Sequence, residues 1–237
     1  MRKETDLSAV KNVALMFLHI EPKQLQGELG RIFVNHPVLE VRKIFLSNSD
    51  QLFDIYEEKN KYFIWLKQKG DSFKACSRVS EIFVMLRKPY RLVFFKYVYD
   101  YLASKDFATA LRESWICAEN ISDDINVSMR ELVSWFKKAD KRYLMNNEER
   151  KLLSELPNGV LIYRGVGSED YKYDMSWTLS FERAKWFAER FGSNTQIVYK
   201  AFVQKQDILA YFADRGEDEV VVDPDVLKKC DIEEVDI

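Results

Sequence analysis

Six residues in the last third of this chain have types and spacings that could bind an anionic ligand and carry out chemistry on it. In chain order they are Arg164, Gly165, Ser176, Thr178, Glu217 and Glu219. An arginine that closes a strand can hold a phosphate through paired hydrogen bonds, and a glycine beside it leaves the backbone open to a ligand. Two neighbouring carboxylates can stabilise a cation or accept a proton. Taken singly, each piece also fits a surface arginine or a solvated acidic turn, so the hypothesis depends on their combination.

The elements that must position these residues are short strands and one helix. Strand patterns cover 160–163, 196–203 and 220–222, and an apolar helical pattern covers 181–191 behind the capping residue Ser180. Glu217 and Glu219 lie two residues apart at the entry to the last strand. Because strand side chains alternate between faces, both carboxylates are expected on one face.

The amino-terminal part is predicted to be mostly α-helical, because its apolar residues recur at spacings of three and four. Stripes of this kind lie at 7–18, 38–46, 52–66 and 92–102. The chain becomes polar around 146–149 and then turns at Pro157-Asn158-Gly159, which places a boundary near residue 150. The prediction is therefore an α+β chain, with a helical domain at 1–150 followed by a small domain with a β-sheet at 151–237.

Bulk composition excludes several classes of function. The 36 basic and 38 acidic residues give a net charge of -2, so no overall basic field drives binding to nucleic acid or membrane. Cys76, Cys117 and Cys230 are widely spaced, which favours reduced thiols over disulfides or a zinc site. His19 and His36 are expected to be packed or surface residues. Since neither a signal peptide nor an apolar run of about 20 residues occurs, a cytoplasmic protein without membrane contact is expected.

The order of the three pieces resembles the arginine-serine-glutamate class of mono-ADP-ribosyltransferases, over residues 157–227. In that family a Ser-Thr-Ser strand precedes a helix whose alanine and aromatic residues face the core, which Ala184 with Trp186 and Phe187 matches here. Two departures stand out. Trp177 replaces the middle threonine, and only eleven residues separate Arg164 from Ser176, where many family members insert a helix.

The resemblance implies a split-sheet fold of the ADP-ribosyltransferase type and NAD+ as a substrate, with no metal required. Arg164 would hold the phosphates of NAD+, and the backbone at Gly165 would bind the nicotinamide amide. Ser176 would orient the catalytic glutamate, and Thr178 would also belong to the NAD+ site. Helices of the amino-terminal part would complete the wall of this site.

The same resemblance implies that Glu219 stabilises the cation formed as nicotinamide leaves, while Glu217 serves the acceptor. A Glu-x-Glu pair in this class favours a protein arginine as acceptor, and a nucleic-acid base is the alternative. Such an enzyme would suit a toxin, a phage-borne host modifier or a defence effector. Two further hypotheses remain: a catalytically inert, partner-binding domain of the same fold, and a helical adaptor in which the three motifs are coincidental.

Overall fold

The computed structural model describes residues 2–47, 49–118, 124–190 and 196–236. The chain divides into two compact units, Met1–Glu119 and Asn120–Ile237. This division falls well before the boundary near residue 150 that was predicted from composition. The difference arises because the helices between residues 129 and 155 pack with the sheet of the second unit.

The first unit is built on helices whose apolar stripes face one another. They are α1 Leu7–Leu18, α2 Lys59–Ala75, α3 Val79–Met85, α4 Arg91–Val98 and α5 Ser104–Cys117. The Asp6 carboxylate caps α1 by accepting a hydrogen bond from the Ala9 amide at 3.0 Å. Helix α1 contacts α2 and α4, and α4 contacts α5, so α1 and α4 lie at the centre of this unit.

Aromatic rings fill the core of the first unit. The ring of Phe94 meets those of Phe17 and Phe83 edge to face, with centroids 5.2 and 5.1 Å apart. Phe94 and Phe95 are fully buried, so both residues belong to the core of this unit. Tyr97 differs, because its side chain is exposed.

Two short hairpins occupy the segment between α1 and α2. Strand β1 Lys23–Gln24 pairs with β2 Val34–Asn35, and β3 Lys43–Phe45 pairs with β4 Leu52–Asp54. The helices predicted over 38–46 and at the start of 52–66 are therefore wrong. Over so few residues a three-and-four spacing carries little weight, and short helices are marginal without tertiary support. The Arg42 guanidinium closes the β3–β4 hairpin through an ion pair with Asp54, at 2.5 Å.

His36 is a buried structural residue of the first unit, as expected. Its Nδ1 accepts hydrogen bonds from the Val38 and Leu39 amides, each at 3.0 Å. Nε2 must then carry the proton, and it donates to the Leu18 carbonyl at 3.2 Å. Burial disfavours the charged imidazolium and lowers the pKa of His36 to about 4, so the ring is neutral at pH 7.

The helices of the second unit are anchored to its sheet. They are α6 Met129–Lys138, α7 Lys141–Leu144, α8 Asn147–Glu155, α9 Phe181–Glu189 and α10 Pro224–Leu227. Lys137 of α6 pairs with Asp223 at 2.5 Å, and the ring of Phe136 lies 6.3 Å from that of Phe212. These contacts explain why α6 belongs to this unit although it precedes the predicted boundary.

The sheet of the second unit has the antiparallel order β10-β7-β5-β6-β9-β8. The strands are β5 Gly159–Val166, β6 Ser176–Thr178, β7 Ile197–Gln204, β8 Ile208–Phe212, β9 Glu219–Val222 and β10 Ile232–Val235. Strands β5 and β6 share a single register pair, Tyr163 with Thr178, so two three-stranded halves meet at one point. The predicted α+β class is thus confirmed. Among the helices described, none has the length and apolar character to cross a bilayer.

Candidate active site

Strands β6 and β9 bring Ser176 and Glu219 together from positions 43 residues apart. In the register of this pair Thr178 lies opposite Glu219, and Ser176 lies opposite Val221. Alternation along a strand then puts Ser176, Thr178 and Glu219 on one face. The Ser176 hydroxyl donates a hydrogen bond to Glu219 Oε1 at 2.5 Å. A half-buried carboxylate is thus held by a neighbouring hydroxyl at the edge of β9.

Arg164 is held by three partners within the chain. Its Nε donates to the Tyr171 carbonyl at 2.8 Å, and its Nη1 donates to the Ser176 carbonyl. Its Nη2 pairs with Asp174 Oδ2 at 2.5 Å, and the two side chains are only 15% and 13% exposed. Burial lowers the pKa of Arg164 while the charges of Asp174 and Glu219 raise it, and a guanidinium of this kind stays protonated.

These contacts join three of the predicted site residues into one connected set. Arg164 of β5 bonds to the backbone of Ser176, and the side chain of Ser176 bonds to Glu219. Asp174, which completes the set, was not singled out from the sequence. Its position could have indicated it, because Asp174 is an acidic residue in the short connection between an arginine and a serine that were both expected in the site.

Gly165 lies where helix α9 approaches β5 most closely. A Cβ built on this residue would stand 1.7 Å from the Ala184 carbonyl oxygen and 2.7 Å from the Ala188 nitrogen. Glycine is therefore required here for packing, a reason that the sequence argument did not foresee. Strand β6 pairs with β5 at Tyr163, two residues before Gly165, and the pairing does not extend to Gly165. The expected contact with nicotinamide stays a prediction.

The hydroxyl of Thr178 is buried and engaged within the chain. It donates to the Glu217 carbonyl at 2.6 Å and accepts from the Ser180 amide at 3.1 Å. In this position Thr178 ties the end of β6 to Glu217, two residues before the start of β9. The structure therefore gives Thr178 a positioning role towards Glu217, and its predicted contact with NAD+ remains untested.

Glu217 does not enter the strand that carries Glu219. Strand β9 begins at Glu219, and Asp218 adopts a left-handed backbone conformation with φ of 45°. The alternation argument for Glu217 and Glu219 therefore does not apply, because one residue between them breaks the strand geometry. Both glutamates are half-buried, with Glu217 in the connection before β9 and Glu219 as the first residue of β9.

The loop 213–218, which connects β8 to β9, is anchored by residues from several elements. Its start is held by Glu149 of α8, whose buried Oε1 accepts from the Ala213 amide at 3.1 Å. Further along, Arg183 of α9 donates to the Gly216 carbonyl at 2.9 Å. At its end, the Tyr211 hydroxyl donates to Asp218 Oδ1 at 2.7 Å. None of these anchors was recognised from the sequence, because no local pattern marks the residues that make them.

Trp177, the departure from the expected Ser-Thr-Ser pattern, is a core residue. Its side chain is almost completely buried, and the indole Nε1 donates to the Asp174 carbonyl at 2.9 Å. The indole therefore holds the backbone of Asp174, the residue that forms the ion pair with Arg164. Trp177 packs on the face of β6 opposite Ser176, and this packing explains why a side chain larger than threonine occupies the position.

Comparison with known proteins adds no assignment. Neither a protein-family model, nor a curated protein, nor a solved structure matches this chain. Any functional conclusion therefore rests on the residues and the geometry described above.

Proposed function

We propose that this chain is an NAD+-dependent mono-ADP-ribosyltransferase that releases nicotinamide and moves ADP-ribose to a macromolecular acceptor. The observation that carries the proposal is the hydrogen bond of Ser176 to Glu219, with Arg164 bonded to the same serine. A sheet whose halves meet at one register pair also suits the split-sheet fold of these enzymes. Hydrogen bonds thus link Arg164, Ser176 and Glu219, and this link supports the proposal.

In this proposal Glu219 acts on the bond between nicotinamide and ribose. That bond breaks with its electron pair leaving on nicotinamide, and positive charge builds on the anomeric carbon. A fixed carboxylate beside this carbon stabilises the cation, as in glycosidases. The Ser176 hydroxyl restricts the rotation of the Glu219 side chain, so the negative charge is in place before the reaction begins.

Arg164 would hold the phosphates of NAD+ in a fixed position. A guanidinium has five N–H donors, and three are used by Tyr171, Asp174 and the Ser176 carbonyl. Two donors are thus not engaged by these bonds and would serve a phosphate oxygen. Because the side chain is already ordered, binding would cost little further entropy.

Glu217 would serve the acceptor. After nicotinamide leaves, the acceptor nucleophile attacks the anomeric carbon and gives up a proton, which Glu217 would accept. Thr178 fixes the backbone of Glu217 through its carbonyl. The Glu-x-Glu arrangement makes a protein arginine the proposed acceptor, because a carboxylate attracts a guanidinium and helps to deprotonate it.

The test is nicotinamide release from NAD+ by the wild type and by Glu219→Gln. The variant keeps the size of the side chain and removes its charge, so a loss on the order of 10²–10³-fold is expected. Glu155→Gln is the matched control, because Glu155 is an exposed residue of α8 whose carboxylate pairs with Lys151. Equal release by wild type and Glu219→Gln would disprove the catalytic assignment.

The acceptor is tested with NAD+ labelled on the adenylate and a cell lysate. Separate treatment of the labelled macromolecules with protease and with nuclease distinguishes the two acceptor classes. Loss of label to protease alone supports a protein arginine. Loss of label to nuclease alone identifies a nucleic-acid base and overturns the arginine assignment.

A further inference from the structure

Asp218, the residue between the two glutamates, has an unusual backbone conformation. It is the only non-glycine residue with a positive φ, at 45°, in the part of the chain that the structure describes. An L-residue adopts this conformation at a cost, and aspartate tolerates it better than most. Such a conformation persists where the surroundings determine it, and it clusters at functional sites.

Two contacts determine the conformation of Asp218. Its carboxylate accepts a hydrogen bond from the Tyr211 hydroxyl at 2.7 Å, and its carbonyl accepts one from the Leu179 amide at 3.0 Å. Tyr211 is buried in β8, and its pKa is raised, first by burial and then by the bond to Asp218. The phenol therefore keeps its proton and acts as a donor throughout the neutral pH range.

The two glutamates depend on Asp218 to different degrees. Glu219 lies in β9 and has its own contact with Ser176, which does not involve the loop. Glu217 lies before the strand, and its direction relative to Glu219 is set by the backbone at Asp218 together with the Thr178 contact. A change at Asp218 should therefore displace Glu217 more than Glu219.

We propose that Tyr211 is a positioning residue which, through Asp218, fixes Glu217 relative to Glu219 and so couples nicotinamide release to transfer. The inference rests on the proposed function and adds a residue to its site. Glu219 supports cleavage of the nicotinamide bond, and Glu217 takes the proton of the acceptor that forms the new bond to the anomeric carbon. When Glu217 is displaced, water attacks the same carbon instead, and free ADP-ribose accumulates.

The test compares two products of one reaction. Nicotinamide release counts every cleavage, and label from NAD+ in the acid-insoluble fraction of a cell lysate counts transfer, whatever the acceptor. Tyr211→Phe removes the hydroxyl and keeps the buried ring. We expect nicotinamide release within about threefold of wild type and a fall of about tenfold or more in label transferred per nicotinamide released, the effect of losing one hydrogen bond to a charged group.

Further variants separate positioning from stability. Asp218→Asn keeps an acceptor oxygen and tolerates a positive φ, so its transfer ratio should stay near that of wild type. Asp218→Gly permits the same φ without the side-chain contact, so its ratio should fall like that of Tyr211→Phe. Tyr143→Phe, at an exposed tyrosine of α7, is the matched control and should change neither product. Thermal unfolding measured for each variant checks that the fold is retained.

The outcomes are distinguishable. Equal losses of release and transfer in Tyr211→Phe, or no change in the ratio, overturn the positioning role while the proposed function stands. Failure of Asp218→Asn to retain the ratio also overturns it. Absence of nicotinamide release from the wild type overturns the proposed function, and the positioning role with it.

Discussion

Ser176 makes two separable contacts, and Ser176→Ala removes only one of them. The hydroxyl donates to Glu219 Oε1 at 2.5 Å, whereas the backbone carbonyl accepts from Arg164. Alanine lacks the hydroxyl but keeps the carbonyl. We therefore expect the substitution to release the Glu219 carboxylate while Arg164 stays in place.

The size of the effect follows from the charge of the acceptor. A hydrogen bond to a charged group contributes about 1.5–3 kcal/mol, about twice the value for a neutral pair. If Ser176 holds Glu219 in the reactive position, the same energy is lost from the transition state. At 1.36 kcal/mol for each factor of ten, kcat for nicotinamide release should fall by roughly 10- to 150-fold. KM for NAD+ should change by less than about threefold, since an unchanged KM is expected when only transition-state stabilisation is lost.

The assay is steady-state nicotinamide release over a range of NAD+ concentrations. Ser154→Ala serves as the control, because the Ser154 hydroxyl bonds only locally, to the Lys151 carbonyl in an exposed part of α8. A rise in KM with unchanged kcat would show that Ser176 contributes to binding alone. Unchanged kinetics in Ser176→Ala would refute the view that the contact with Glu219 matters for the reaction.

Three further predictions concern the frame around the site and the first unit. Asp174→Asn should lower the free energy of unfolding by about 3 kcal/mol, because Arg164 would keep a buried charge without its counterion. In urea titrations the double variant with Arg164→Met should lose less than the sum of the two single losses. Gly165→Ala should destabilise the second unit by about 3 kcal/mol or more in thermal unfolding, since its Cβ would collide with the Ala184 carbonyl. The pKa of His36 is lowered to about 4 in the folded chain, so unfolded chains bind more protons between pH 4 and 6.5, and the free energy of unfolding must rise with pH across that window. The wild type should lose up to about 3 kcal/mol more than His36→Gln between pH 7 and pH 4, and equal losses would contradict a buried neutral ring.

The sequence predicted those parts of the site whose signal is local. The strand that ends near Arg164, the cap at Ser180 and the β-branched run after Glu219 each depend on a few neighbouring residues, and the structure contains all three. The family resemblance then implied that an arginine, a serine and a glutamate would meet. That meeting is seen between β5, β6 and β9.

Features that depend on individual side-chain contacts were not predicted. The ion pair of Asp174 with Arg164 and the bond of Tyr211 to Asp218 join residues whose spacing carries no periodic signal. The left-handed Asp218 could not be recognised, because aspartate before a β-branched run is compatible with ordinary strand entry. In the first unit, the β3–β4 hairpin was missed because short apolar stripes do not distinguish a helix from a strand, and the β1–β2 hairpin lies where the sequence analysis assigned no element.

The contacts of Arg164 are compatible with both a structural role and the proposed ligand-binding role. A buried ion pair that is only structural can often be replaced by apolar residues without loss, so its presence calls for a reason beyond stability. Here the pair fixes a guanidinium against the carbonyl of Ser176, whose side chain holds Glu219. In the proposed reaction, an arginine ordered in advance would bind a phosphate without reorganisation and would hold it at a set distance from the carboxylate. The same contacts that cost desolvation in folding thus align the two charges that the proposed reaction needs.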